Sequence, residues 1–236
     1  MKRCIFVGAL LICLIGTSYA TSVLVFSKTK GFHHASIPAG IEAIYKLGRE
    51  NNFSVDTTTS ADLFTADYLK KYDAVIFLNT TGDVLNDTQQ VAFEVYIRNG
   101  HGYVGVHAAS DTEYGWPWYG KLVGAYFTSH PNQQNATFHI TDRNFIATKN
   151  LPEHWQRFDE LYNFKDIQPD LHVLITIDES TYTGGTNGKF HPMSWYHNYD
   201  GGRAFYTALG HTDESYSDPL FLGHLLGGIK YAAKMK

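Results

Sequence analysis

Cysteine is nearly missing from this chain. Its 236 residues include two, Cys4 and Cys13, both within the first twenty positions. Beyond them no thiol exists to attack a substrate, bind a metal or form a disulfide, so the folded part must hold by its core alone. No block of Lys and Arg occurs either, and Asp plus Glu outnumber Lys plus Arg 23 to 19. That balance argues against nucleic acid as a partner. No stretch after the first twenty residues is apolar enough to span a membrane. Also missing are Gly-x-Gly-x-x-Gly, Gly-x-Ser-x-Gly, His-Glu-x-x-His and paired-Cys zinc spacing. Those absences weigh against a dinucleotide enzyme, an elbow-serine hydrolase using Ser110, and the common zinc motifs.

The first twenty residues read as a secretory leader. Lys2 and Arg3 precede the apolar run Ile5 to Ile15, and Ser18-Tyr19-Ala20 puts small residues where a signal peptidase reads. The run is shorter than the roughly 20 residues a span needs. The expectation is cleavage after Ala20, a single domain over residues 21–236, and a secreted or extracytoplasmic location. Loss of Lys2 and Arg3 would move the formal charge from −4 to −6. Four Asn-x-Ser/Thr sequons, at Asn52, Asn79, Asn86 and Asn135, would be glycan acceptors in a eukaryotic source and chance in a bacterial one. Asn79, at an expected strand end, is the least suited of them.

What is present is a regular alternation. Strands are expected at 22–26, 53–58, 74–78 and 102–107, all but the second of them apolar. Between them lie helices begun by Ser36 with Pro38, by Thr65, and by Asn86 or Asp87. This βα repetition predicts a parallel sheet with right-handed crossovers. The second half is less regular. Strands are expected at 136–140 and 172–177, a hairpin turns at Asp200-Gly201-Gly202, and Asp218-Pro219 opens the last helix.

The pivotal stretch is Gly102-Tyr-Val-Gly-Val-His107-Ala-Ala-Ser-Asp111. A buried strand ends in an imidazole followed by small residues, the pattern a sharp strand-to-helix elbow needs. In open α/β sheets chemistry collects where parallel strands end. His34, His130, His191 and His211 also fall where strands or loops end, and Asp159-Glu160 adds carboxylates. Convergence would give a His-rich pocket able to bind a divalent metal such as zinc, or to move protons near neutral pH. Glu160 is the expected inward partner of the imidazoles. Sixteen tyrosines and fifteen phenylalanines must mostly fill the core. Trp116, Trp118 and Tyr119, just past the elbow, together with Trp195, could instead offer sugar rings an apolar face. His101, His139, His154, His172, His197 and His224 are expected on the surface or satisfied in the core.

Taken together, several segments resemble the trehalose-utilisation (ThuA-like) family. They are Lys30-Gly-Phe-His-His-Ala-Ser36, Phe77-Leu-Asn-Thr-Thr-Gly-Asp-Val-Leu85, the 102–112 stretch, Trp116-Pro-Trp-Tyr119 and Gly124-Ala-Tyr-Phe-Thr-Ser-His-Pro131. Asp159-Glu-Leu-Tyr162, His191-Pro-Met-Ser-Trp195 and Gly202 to His211 complete the set. The resemblance runs from Val23 to about Ala232. It implies a flavodoxin-like, class I glutamine amidotransferase-like three-layer sandwich with a mostly parallel central sheet. In those relatives a catalytic Cys sits at the elbow, where this chain has His107, so glutamine hydrolysis through a thioester is excluded. The resemblance also implies a carbohydrate substrate, trehalose-like or a keto-disaccharide. It is matched at His34, His107, His130, Glu160, His191 and His211. His33 stands where the family usually has Arg, His101 where it usually has Gly, and Phe145-Ile146 where it commonly has His-Pro. Two functions from different classes follow: a carbohydrate-processing enzyme, or a secreted sugar-binding domain without turnover.

Overall fold

A computed structural model describes residues 21–235. The expected leader lies outside the described residues. The chain runs β1 (Ser22–Phe26), α1 (Ile37–Asn51), β2 (Ser54–Thr58), α2 (Ala66–Leu69), β3 (Ala74–Leu78), α3 (Asp87–Arg98) and β4 (Gly102–Val106). Next come α4 (Pro117–Val123), β5 (Tyr126–Ser129), β6 (Gln134–Ile140), β7 (His154–Asp159), β8 (Asn163–Lys165) and β9 (His172–Ile177). The chain closes with β10 (Pro192–Tyr199), β11 (Gly202–Thr207) and α5 (Pro219–Ala232).

Nine strands form one sheet in the order β2-β1-β3-β4-β11-β10-β9-β6-β7. The ladder is parallel from β2 through β11. It is antiparallel from β11 through β7. This is the α/β fold the sequence predicts, with helices flanking a large central sheet. Every residue of β3 and β4 is buried, as strands covered on both faces must be. A small pair, β5 with β8, lies apart from the sheet.

Local choices follow the residues. Asn86 and Gln89 make a reciprocal capping box at α3, and the Asp218 side chain caps α5 with Pro219 in its first turn. Ser36 differs from expectation. It precedes α1 but makes no side-chain cap; its hydroxyl accepts from the Asn79 amide instead, at 3.2 Å. Asn79 itself is fully buried, which removes it as a glycan acceptor in the folded chain. The strand expected to include His107 stops at Val106, and that one-residue difference shapes the site.

Candidate metal centre and substrate pocket

His107 turns the chain out of β4 with φ +48° and begins a 3-10 turn over His107–Asp111. A side chain in this left-handed region costs about 1–3 kcal/mol unless its surroundings fix it. Here the Tyr206 hydroxyl donates to the His107 carbonyl at 2.8 Å and shares a hydrogen bond with Ser110 Oγ, also at 2.8 Å. Ala108 and Ala109 are fully buried, so the turn has no room for larger side chains.

The imidazole is fixed as firmly as the backbone. His107 Nδ1 lies 2.7 Å from the Ala208 carbonyl, just past β11. A carbonyl only accepts, so Nδ1 carries the proton and Nε2 of neutral His107 presents a lone pair. That Nε2 is 3.3 Å from Glu160 Oε2 and 3.1 Å from His211 Nδ1. His211 Nδ1 is in turn 3.1 Å from the same carboxylate oxygen. His34 meets both rings edge-on, with centroids 4.9 Å from His107 and 5.1 Å from His211. One donor atom from each of His34, His107, Glu160 and His211 lies within 4.8 Å of all the others. His34, His107 and His211 follow β1, β4 and β11, which belong to the parallel set, so they share its carboxyl edge. Glu160 enters from the far side, at the end of β7.

A buried carboxylate positions two of these residues. Asp159 Oδ1 accepts from the backbone N–H groups of Glu160 (3.0 Å) and His211 (3.1 Å). Its Oδ2 accepts from Gly210 N–H (3.2 Å) and from Arg157 Nη2 (3.0 Å). Gly210 adopts φ +109°, and a Cβ there would lie 2.9 Å from the Tyr216 hydroxyl. Glycine is therefore required just before His211.

The electrostatics match a cation-binding set. Burial disfavours the charge of Glu160, but hydrogen bonds and attraction from His107 and His211 prevail and hold it well below the usual carboxylate range. Burial likewise opposes protonation of His211, and Glu160 overrides it and raises the pKa. Burial, with repulsion from His107 and His211, lowers His34 to about 3. His34 is thus neutral near pH 7, and its buried Nδ1 has no protein partner. Three imidazoles and one carboxylate, with lone pairs gathered and one buried nitrogen unpartnered, form a donor set that fits zinc or a similar divalent ion. The Gln133 amide nitrogen lies 2.7 Å from His211 Nε2. Reversing that amide lets His211 donate from Nε2 and frees Nδ1 for an ion.

A cavity of about 240 Å³ opens over the group, lined by Phe32, Asp111, Phe127, His130 and Tyr162 together with His34 and Glu160. His130 Nδ1 is 2.9 Å from the Pro131 carbonyl and 3.3 Å from Glu160 Oε1. Both neighbours accept, so Nδ1 carries a proton, and in the neutral ring Nε2 presents the lone pair. Burial raises the Asp111 pKa, and the Tyr114 hydroxyl donates to its Oδ1 at 2.7 Å.

Of the five residues expected to carry chemistry, four come together and His191 does not. It is fully buried, with Nε2 2.8 Å from the Tyr162 carbonyl and Nδ1 2.9 Å from Glu179. Both nitrogens are satisfied by protein, so His191 anchors the segment behind the pocket wall instead of reaching substrate. The aromatic expectation is also corrected. Tyr119 and Trp195 are fully buried and Trp116 nearly so. Trp195 donates to the Val123 carbonyl, Trp116 to Glu94 and Trp118 to Asp200. These rings pack the interior and its rim. Phe32, Phe127 and Tyr162 line the pocket in their place. Phe32, Asp111 and Tyr162 lie within the resembling segments, but residue type alone does not mark them. Asp159 is visible in the sequence only as the neighbour of Glu160.

Fold and site together define an α/β protein with a large central sheet and a histidine at the elbow that ends β4. A family model described as trehalose utilisation (ThuA) matches residues 22–232, and the chain belongs to that family. It is similar to a ThuA-like protein from Bacteroides uniformis, with TM-score 0.77 and 24% identity over 90% of this chain and 91% of that one. A ThuA-like protein from Parabacteroides merdae gives TM-score 0.76 and 20% identity over 92% and 91% of the two chains. A GMP synthase component from Thermoplasma acidophilum gives TM-score 0.55 and 10% identity over 90% and 96%. At these identities the likenesses establish the fold alone. Comparison with curated proteins gave no match. Among the described residues no helix is long and apolar enough to cross a membrane.

Proposed function

We propose that this chain is a divalent-metal-dependent enzyme that moves protons beside a carbonyl of a carbohydrate, an oxidised (keto) glycoside in particular. The observation that supports it is the group His34, His107, Glu160 and His211, set at an elbow and opening on a pocket with a free base. An ion held there would act as a Lewis acid on a carbonyl oxygen. The chain's own residues supply the rest. His130 Nε2 takes the proton from the carbon next to the carbonyl, and the C–H electron pair moves toward the carbonyl oxygen to give an enediolate. Return of the proton to carbon gives an isomer or epimer; loss of a substituent one carbon further on gives elimination. His130, now carrying that proton, delivers it to carbon or to the departing oxygen, and Asp111, whose carboxyl pKa partial burial raises, lines the same pocket as a second proton donor or acceptor. No oxidant or reductant is consumed. Phe32, Phe127 and Tyr162 hold the sugar's apolar face. The leader-like first twenty residues support an extracytoplasmic site of action, and residues 21–236 are read as a single domain.

The test is product formation, followed by NMR, from trehalose, 3-keto-trehalose and related glycosides, with and without zinc or manganese. Metal-dependent conversion of the keto compounds is expected. Binding of these sugars with no conversion under any metal would replace the enzyme by a sugar-binding module.

A further inference from the structure

The pocket over the donor group has a neighbour. On the other side of Phe32 lies a second cavity, of about 320 Å³, lined by Ser36, Gln133, His211, Asp213 and Glu214 as well as by Phe32 itself. The donor group stands between the two. His34 and Glu160 face the first cavity, and His211 faces the second. Phe32 forms a wall of both and is 65% exposed, so it projects as a ridge. The two lobes differ in character. The first is narrow and aromatic, smaller than the roughly 300 Å³ lower bound of typical ligand pockets, and suits one sugar ring. The second is polar and acidic. Across both lobes the lining includes the carboxylates Asp111, Glu160, Asp213 and Glu214 and no Lys or Arg. The buried His34, 3% exposed and with an Nδ1 that has no protein partner, lines the first lobe against the ridge, its ring centroid 4.8 Å from that of Phe32.

We infer that the site is two-lobed, with Phe32 separating a ring-binding lobe from an acidic lobe formed by Asp213 and Glu214. On that arrangement the substrate's second unit is uncharged or amine-bearing, and phosphorylated or carboxylated sugars are rejected. This rests on the carbohydrate reading of the same site and adds its charge selectivity. A bound divalent ion does not reverse the sign. Glu160 offsets one of its charges, and Asp213 and Glu214 in the second lobe supply two more negative ones. An anionic substituent in the second lobe meets like charge with no cation to pair it, which costs affinity. A hydroxyl donates to Asp213 or Glu214, and an ammonium does so with charge assistance.

The experiment is calorimetric titration of the zinc-loaded protein with trehalose, an amino-trehalose and trehalose 6-phosphate at low and moderate salt. It is run on the parent, on the Asp213→Asn/Glu214→Gln double variant, and on Phe32→Ala. Both acids are exposed, so the double variant should fold as the parent does. The amino sugar is expected to bind about tenfold tighter than trehalose at low salt and the phosphate about tenfold weaker. The double variant should erase both differences. Phe32→Ala should weaken all three probes alike. Equal or tighter binding of the phosphate by the parent, unchanged discrimination in the double variant, or no binding of any probe would overturn the inference. Charge discrimination without turnover of any keto sugar would leave the two-lobed site standing and remove the proposed reaction. Turnover without discrimination would do the reverse.

Discussion

Two groups of buried histidine and carboxylate sit close together in this molecule and do different things. Around His107 the imidazoles point nitrogens at one another and at Glu160, and His34 keeps a buried nitrogen without any protein partner. Around His191 each nitrogen meets a protein group: the Tyr162 carbonyl on one side, Glu179 and the Tyr182 hydroxyl on the other. Residue types and burial are nearly the same. The difference is saturation. A saturated group stabilises the fold, whereas a gathered set of unspent lone pairs is held for a ligand. His224 belongs with the saturated kind, bonded to the Ala147 carbonyl and to Ser194.

The sharpest break between the groups is in activity. His107→Ala removes a donor and Glu160→Gln removes the charge that gathers the others. Each should lower conversion of a keto glycoside by about 10²–10⁴-fold and reduce the zinc bound per chain. Thermal unfolding of the metal-free protein should move little in Glu160→Gln, while His107→Ala also leaves the buried Ala208 carbonyl unpaired, at about 1–3 kcal/mol. Product NMR, metal analysis and scanning calorimetry together check this, and unchanged turnover in both variants would remove these residues from the mechanism.

Asp159→Asn comes next, because it touches both function and fold. The Arg157 guanidinium would lose its buried partner, and three backbone N–H groups would face a weaker acceptor. Arg157 keeps Asp218, 3.1 Å from its Nη1, so the cost falls below the about 3–5 kcal/mol of a buried charge left with no partner, read as a lower midpoint in urea. Zinc affinity should fall as well, since Glu160 and His211 are both tied to this carboxylate. A stability loss with unchanged zinc affinity would make Asp159 part of the fold alone.

His224 provides a pH test of the saturated kind. Burial lowers its pKa from 6.5 to about 4. The folded chain therefore keeps it neutral where the unfolded chain binds a proton. Its contribution is complete above pH 6.5, declines as pH falls from 6.5 towards 4, and is gone below that. Since the group is fully buried, the shift corresponds to roughly 3 kcal/mol. Urea midpoints measured from pH 7 to pH 4 should flatten in His224→Gln relative to the parent.

Much of this was legible in the sequence. The βα rhythm through β4 was readable because β1, β3 and β4 are largely apolar runs and α2 and α3 open on side-chain caps at Thr65 and Asn86. The elbow was readable because a reactive residue precedes small ones. The antiparallel half was harder. β7 buries Arg157 and Asp159 beside Trp155 and exposes Phe158, so its residue types hide the alternation a strand should show. The aromatic run at 116–119 misled because Trp and Tyr serve packing and sugar binding equally well. Only position decides between them, and α4 turns these rings toward Tyr103 and α3. His191 misled for a similar reason. The sequence puts it at a loop end like the other candidates, but it precedes β10 where they follow strands, and the partners that saturate it, Glu179 and Tyr162, come from segments the sequence does not connect to it.

The comparison can be tested most directly at His191 itself. If saturation marks a structural group, His191→Ala should leave the site's ion binding alone. The Tyr162 carbonyl, the Tyr182 hydroxyl and Glu179 would each lose a partner. Glu179 keeps the backbone N–H groups of Asn187 and Gly188, both at 2.8 Å, and Tyr182 is near enough to the surface to find water. The cost then centres on the Tyr162 carbonyl, about 1–3 kcal/mol for a buried group left unpaired. Tyr162 also stacks over His107, with ring centroids 4.2 Å apart, so a loosened segment could lower turnover through the pocket wall. The zinc bound per chain separates that indirect effect from a ligand's role. An unchanged stoichiometry with a lower unfolding midpoint is the expected result. Loss of zinc in His191→Ala, at a temperature where the variant remains folded, would show that the two groups act as one and that saturation does not distinguish them.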